Sequence, residues 1–359
     1  MKYNLLTALF LTTMAASLTQ TAGATTWYVN GVSGINTNNC TSATTACKTI
    51  GYVISLAASG DTIKVAAATY MENLTIGTSL KIFGSNVNTT IVDGGAIGTV
   101  VTISSNTHVV LSGVTIRNGS RGGIRNEGVL TINRSSISGN TFYNLCTKTC
   151  PAFAAGIQNS GTLTLNNTTI SANVAAERNC KSFCFPYTGG IYNTGSLIIN
   201  NSTISGNACK DGSLTSHFGG TTTISNSTIS GNHEVGISMV GGVATATLQN
   251  SIVANNSGRN CFGAITSNGY NLSSDASCPF TNSGDLNNTD PLLGPLQNNG
   301  GPTQTMALPS GSPAIDAGNP AGCTDEAGNV LKTDQRGKPR PDHEDARGCD
   351  IGAYESQSD

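Results

Sequence analysis

The sequence predicts an all-β protein: a right-handed parallel β-helix solenoid with a short helical N-terminal cap and an irregular C-terminal cap. Three observations carry this. The middle of the chain repeats itself, as GIRNEGVLTINRSSISGN (123–140), GIQNSGTLTLNNTTISAN (156–173) and GIYNTGSLIINNSTISGN (190–207), with a shorter copy at 219–232 and a degraded one at 243–256. Within each copy Leu130 and Ile132, Leu163 and Leu165, and Leu197 and Ile199 alternate with polar residues. That is period two, a strand with one face buried. Asparagine recurs at two fixed places, Asn126, Asn159 and Asn193, then Asn140, Asn173, Asn207, Asn232 and Asn256.

The isoleucines of the TIS element, Ile116, Ile137, Ile170, Ile204 and Ile229, then Val253, follow at steps of 21, 33, 34, 25 and 24 residues. Self-similarity at such periods marks a solenoid. No helical pattern accompanies it, as a leucine-rich repeat would require, and the steps are short for a propeller blade. One coil cannot bury its own apolar face, so coils stack and their inward Leu and Ile form columns. The asparagines suit sharp corners, where Asn tolerates left-handed backbone and its amide bonds to the same amide one coil away.

The elements follow in order. Met1-Lys2, an apolar run from Leu5 to Ala16 and Ala22-Gly23-Ala24 predict a Sec-type signal peptide over 1–24. The run is short of the roughly 20 residues a membrane helix needs. An exported protein is expected, outside the cell, on its surface or in the periplasm. Residues 25–60 predict the N-terminal cap: TWYVN as a strand, CKTIGYVISLAASGD as an amphipathic helix ended by Gly60. Coils occupy 61–265, and the irregular C-terminal cap occupies 266–359. Caps are needed because open strand edges invite aggregation.

The longer steps come from insertions after Asn140, Asn173 and Asn207, which leave the same corner of three successive coils and should stack on one side. They hold the aromatics Phe142, Tyr143, Phe153, Phe183, Phe185, Tyr187 and Phe218, which serve either as a functional surface or as packing for the loops. Eleven cysteines follow the leader. In an exported chain they are expected to pair. Cys40/Cys47, Cys261/Cys278 and Cys323/Cys349 are close in sequence; Cys146, Cys150, Cys180, Cys184 and Cys209 form a group in the insertions. The odd total leaves at least one thiol free or paired between chains.

Without Lys2 the chain carries 17 Lys and Arg against 20 Asp and Glu, a net charge of −3. That argues against nucleic-acid partners, whose phosphates favour a basic face. Only 11% of residues are charged, so neutral hydrogen-bonding groups solvate the surface.

The run CKTIGYVISLAASGDTIKVAAATYMENLTI, the GI-x-N…LTI…STISGN coils and the ending SPAIDAGN…TDQRGKPRP…CDIGAYE together resemble a bacterial family. Its members are right-handed parallel β-helix repeat proteins with a choice-of-anchor Q C-terminal domain, in the pectin-lyase-like fold superfamily. The resemblance covers nearly the whole mature chain. It implies an exported, often surface-displayed protein. The chain ends four residues after Glu355, so no anchor is expected beyond that domain. The superfamily also includes lyases and hydrolases of acidic polysaccharides, whose chemistry needs a base and a cation, or paired carboxylates. Asp93, Glu127, Glu177, Asp211 and Glu234 are widely spaced, and His108, His217 and His233 are isolated, so no such set is legible.

Binding residues are easier to nominate. Arg117, Arg121, Arg125 and Arg134 lie near one coil junction and suit a carboxylate or sulfate; the alternative is a solvated face with Glu127 as partner. Arg125, Gln158 and Tyr192 share one outward repeat position, a shallow sugar-binding strip with Tyr192 as stacking platform. Asp316, Asp325, Asp334, Asp345, Asp350 and Glu355 are a calcium candidate; the alternative is hydrogen-bonded turns with an Asp334–Arg336 ion pair and Asp350. No other cofactor is expected. The expected function is a non-enzymatic exported β-helix presenting loops and a polar face to glycans or cell surfaces. The alternatives are a polysaccharide lyase or hydrolase, and a self-associating envelope component.

Overall fold

Each repeat folds into three short strands joined by tight corners. In one coil they are Ile124–Asn126, Val129–Asn133 and Ser136–Ser138. The computed structural model describes residues 23–145, 153–178, 187–209, 212–217, 219–342 and 348–357. The expected signal peptide, the cysteines Cys146, Cys150, Cys180 and Cys184, the aromatics Phe183, Phe185 and Phe218, and Asp345 lie outside the described residues.

Stacked coils build three long sheets of ten, eight and nine strands. All pairings within them are parallel and in direct register. Ile124 faces Ile157, which faces Ile191; Leu130, Leu163 and Leu197 stack likewise. The TIS column runs Ile116, Ile137, Ile170, Ile204, Ile229, Val253 with no slip. Every member is fully buried in one continuous core. A one-residue slip would turn an entire column outward, which is why the alternation sets the register.

The asparagines divide their labour. Asn126, Asn159 and Asn193 form one buried ladder, each Nδ2 donating to the next Oδ1 at 2.7 Å. Asn140, Asn173, Asn207, Asn232 and Asn256 form another at 2.9–3.1 Å, ending on Asn260. None of these takes the left-handed conformation expected of corner asparagines. That duty falls on Asn167, Asn201, Asn226 and Asn250, at φ 53°, 50°, 49° and 49°, between the ten- and nine-stranded sheets. An amide reaching straight into the next coil has no need of the sharp reversal that αL supplies.

The N-terminal strand Thr26–Val29 pairs in parallel with Thr62–Val65, so it is itself the terminal rung of the ten-stranded sheet. Helix Ile50–Leu56 closes that end, burying Ile50 and Val53. Its first free N–H groups, of Ile50 and Gly51, donate to the Glu72 carboxylate at 2.9 and 2.7 Å, a negative charge at a helix N-terminus. The helix ends at Leu56; Gly60 belongs to the turn after it. Three expected disulfides are present: Cys40–Cys47, Cys261–Cys278 and Cys323–Cys349.

The insertions do stack side by side. Thr141–Leu145 pairs with Val174–Arg178, and Phe153–Ala154 with Tyr187–Thr188. The Phe142 and Phe153 rings stack at 4.4 Å over Ala155, Ala175 and Cys209. These two aromatics pack the loops; Tyr143 is exposed.

The C-terminal segment departs from expectation. Coils continue past residue 265 to strands Ile265–Ser267 and Leu272–Ser273, and Phe280 helps close the end. From about residue 290 the chain does not cap the end. It runs back along the flank of the nine-stranded sheet. Asn167, Asn201, Asn226 and Asn250 donate to backbone carbonyls of Asp334, Thr333, Thr324 and Asp350 at 2.6–3.1 Å. Outward-facing Thr169, Thr203 and Thr228 bond to Gln304, Gln335 and Ala353 and are buried beneath it. Ser136 and Thr115, earlier in the same sheet, are not. No helix of the described residues is long and apolar enough to cross a membrane.

Candidate functional site

Two of the four junction arginines are committed to internal partners. Arg117 Nε lies 2.8 Å from Asp93 Oδ2. Burial pushes the Asp93 carboxyl up, but bonds from the Gly95 N–H, Asn118 and Arg117 outweigh it and hold it below the usual range. Arg125 pairs with Glu127 at 2.6 Å, both partly exposed, a pair worth little to stability. Arg121 and Arg134 are exposed.

Arg125, Gln158 and Tyr192 do occupy one row of the eight-stranded sheet. Tyr192 is only 5% exposed, and burial raises its phenol pKa. The expected stacking platform is therefore covered. The next rungs, Thr215 and Ser238, are covered too. This strip is closed to an extended chain after two residues.

The acidic residues of the C-terminal segment serve its turns. Asp334 pairs with Arg336 at 2.7 Å and Glu355 with Arg340 at 2.6 Å. Asp350 accepts the N–H groups of Asp316 and Ser356, and Asp325 those of Ala327 and Asn329. Among the described residues no three His, Cys, Asp or Glu side chains converge as metal ligands.

The outer side of the ten-stranded sheet stays open from its N-terminal rungs to its last. At its N-terminal end are two hollows. One, of about 360 Å³, is lined by Tyr28, Lys64, Phe83, Ala43, Ala46 and Ser85. Tyr28, Lys64 and Phe83 stand on consecutive rungs, with Lys64 Nζ 5.7 Å from the Tyr28 ring centroid. The other, of about 440 Å³, is lined by Ser79, Lys81, His108, Val110, Val129 and Thr131. Lys64, Lys81 and His108 are exposed. Among the described residues neither lysine has an acidic partner within 4 Å. The nearby Asp61 is 3% exposed. Burial pushes its carboxyl up, yet bonds from Trp27 Nε1 and the N–H groups of Thr25 and Ala58 hold it below its usual range.

Beyond the hollows the face becomes uncharged. Thr131, Thr164, Ile198, Thr223, Thr247 and Thr266 form one outward row, and Val129, Thr162, Ser196, Thr221 and Thr245 the next. Sequence reasoning missed this face. Its signal was present in the alternations TIKV and LKIF, which point Lys64, Lys81 and Phe83 outward, and in the triplets TLT, TTT and TAT at 162–164, 221–223 and 245–247.

Three parallel sheets wound coil on coil define a right-handed parallel β-helix. No family model matches the chain, and no curated protein is similar to it. Among solved structures it is similar to pectate lyase Pel9A, with 14% identity and a TM-score of 0.45, covering 93% of this chain and 97% of that one. Two pectin methylesterase structures in complex with hexasaccharides are similar at 14% and 12% identity, both with a TM-score of 0.34. They cover 70% and 75% of this chain, and 80% and 94% of their own.

Proposed function

We propose that this β-helix is an exported binding protein that takes an acidic glycan across the N-terminal end of its open ten-stranded face. The observation that carries the reading is the pair of adjoining hollows. They join two aromatic rings with two lysines that have no acidic partner among the described residues. Aromatic faces suit sugar rings, and unpaired ammonium groups suit carboxylate or sulfate. The rigid stacked backbone needs no ordering on binding, which favours an extended ligand. The three disulfides are compatible with an extracellular or periplasmic location, and the C-terminal resemblance to choice-of-anchor Q domains suits display at a surface.

The test is retention of the purified chain on immobilised acidic and neutral polysaccharides, with parallel assay for shorter products. Retention on the acidic set alone is expected, weakening as salt screens the lysines. Phe83→Ala should weaken binding by roughly 1 kcal/mol, about fivefold. Lys64→Ala with Lys81→Ala should abolish the preference for acidic chains. Product release would establish an enzyme instead, and retention unchanged in the double lysine variant would remove the site.

A further inference from the structure

Six successive strands of the ten-stranded sheet, from Val129–Asn133 to Ile265–Ser267, carry no charged side chain at their outward positions. The later strands of the nine-stranded sheet beside them are covered by the returning C-terminal segment, whereas this face stays open. Soluble proteins ordinarily keep such surfaces charged. Here the outward positions repeat β-branched hydroxyls instead: Thr162 and Thr164, Thr221 and Thr223, Thr245 and Thr247.

We infer that this threonine lattice binds ice. Hydroxyls two residues apart on a strand lie about 6.6 Å from one another, and those on neighbouring strands about 4.8 Å. The spacing between strands lies near the shorter oxygen repeat on the prism face of hexagonal ice, and the spacing along a strand falls a little below the longer one, a gap that threonine rotamers can close. The lattice is fixed in both directions. Pairing is in direct register from strand to strand. Asparagine ladders run along both edges of its first three rungs: Asn126 to Asn159 to Asn193 on one side and Asn133 to Asn166 to Asn200 on the other. Side-chain ladders are a device that holds a long sheet flat. Threonine adds stiffness at χ1, so little side-chain entropy is lost when water orders on it.

Charge also selects the partner. An ammonium or carboxylate holds its own hydration shell and would break a crystalline water layer. A face of methyls and hydroxyls without charge matches a partner that is itself uncharged, hydroxyl-bearing and periodic. Val129 and Ile198 replace two of the hydroxyls with alkyl groups of similar branching.

The test uses the purified full chain and measures thermal hysteresis and partition into a slowly growing ice front. Wild-type protein should enter the ice and shape its crystals. Thr164→Lys with Thr223→Lys should lower the hysteresis about tenfold, because each adds a strongly hydrated ammonium to the lattice. Thr75→Lys, on the eight-stranded sheet, should leave it unchanged. Unaltered circular dichroism and urea midpoint in the double variant would show that it still folds. Exclusion of wild-type protein from ice overturns the inference, as does full activity of the double variant. A dimer in gel filtration that the double variant dissolves would assign the face to a second copy, and so also overturn it. The glycan reading stands or falls separately, on retention by Lys64, Lys81 and Phe83.

Discussion

Asn173→Ala is expected to destabilise the protein by about 3–5 kcal/mol, since it strands several buried polar groups at about 1–3 kcal/mol each. Asn173 is fully buried. Its Oδ1 accepts the backbone N–H of Asn140 at 3.1 Å and the Asn140 Nδ2 at 3.0 Å. Its Nδ2 donates to Asn207 Oδ1 and to the Ile137 carbonyl, both at 2.9 Å. Alanine leaves these partners without water to replace the lost bonds, and in so apolar a setting each orphan is costly. The loss also breaks the ladder in its middle, where Asn140 and Asn207 rely on it from both sides. Asn88→Ala, at an exposed turn residue of ordinary backbone, should cost much less. Urea midpoints at constant m-value measure the difference. A change below about 1 kcal/mol for Asn173→Ala would mean that water enters the ladder and satisfies it.

Arg340→Ala should be as severe, about 3–5 kcal/mol, because it leaves a buried carboxylate without its counter-ion. Arg340 is 2% exposed and ties the flank segment to the coils. It donates to Glu355 Oε2 at 2.6 Å, Asn201 Oδ1 at 3.1 Å and the Gly352 carbonyl at 2.8 Å. Its loss should release residues 290–357 first, seen as early proteolysis and faster hydrogen exchange there.

The same cluster should give the protein a pH signature. Burial pushes Glu355 up to about 7; Arg340 opposes this and Asp350 adds to it. Burial likewise pushes Asp350 up to about 6, against bonds from the Ser356 and Asp316 N–H groups and the charge of Arg340. Glu355 Oε1 is buried with no hydrogen-bond partner, in keeping with a carboxyl reluctant to ionise. Both folded pKa values lie above the ordinary ones of 4.5 and 3.8. The folded state therefore holds protons that the unfolded chain has lost, and stability falls as pH rises from about 4 to about 7. The lowered carboxylates Asp61, Asp93 and Asp275 act in the opposite sense, but only near and below their ordinary 3.8. Glu355→Gln should remove much of the decline. A urea midpoint that is flat, or that rises, between pH 5 and pH 7 would contradict this account.

Several features were legible because they are local or repeat. The TIS isoleucines align from Ile116 to Val253 as the alternation required, and the insertions pair as their common corner implied. The disulfides Cys40–Cys47, Cys261–Cys278 and Cys323–Cys349 join cysteines close in sequence. The candidate site was less legible. Arg125, Gln158 and Tyr192 share a row, yet only neighbouring structure decides that Tyr192 is covered and that Arg125 meets Glu127. The asparagine positions were visible, but not that those of the ladders and those of the left-handed corners are different residues.

By itself, then, the sequence determined the coil, its register and its core. An inward residue must be apolar in every coil, and each coil touches only its neighbours, so the constraint is written at short range and repeated. The tertiary structure alone decided which outer faces are closed. Outward side chains obey no such period. Thr169 and Thr164 look alike in sequence, but one is buried under Gln304, 135 residues further on, while the other stays at the surface. The docking of an irregular segment across four coils is a long-range event that no local pattern encodes. By closing the later part of that flank and leaving the ten-stranded face bare, it also set which outer surfaces stay accessible.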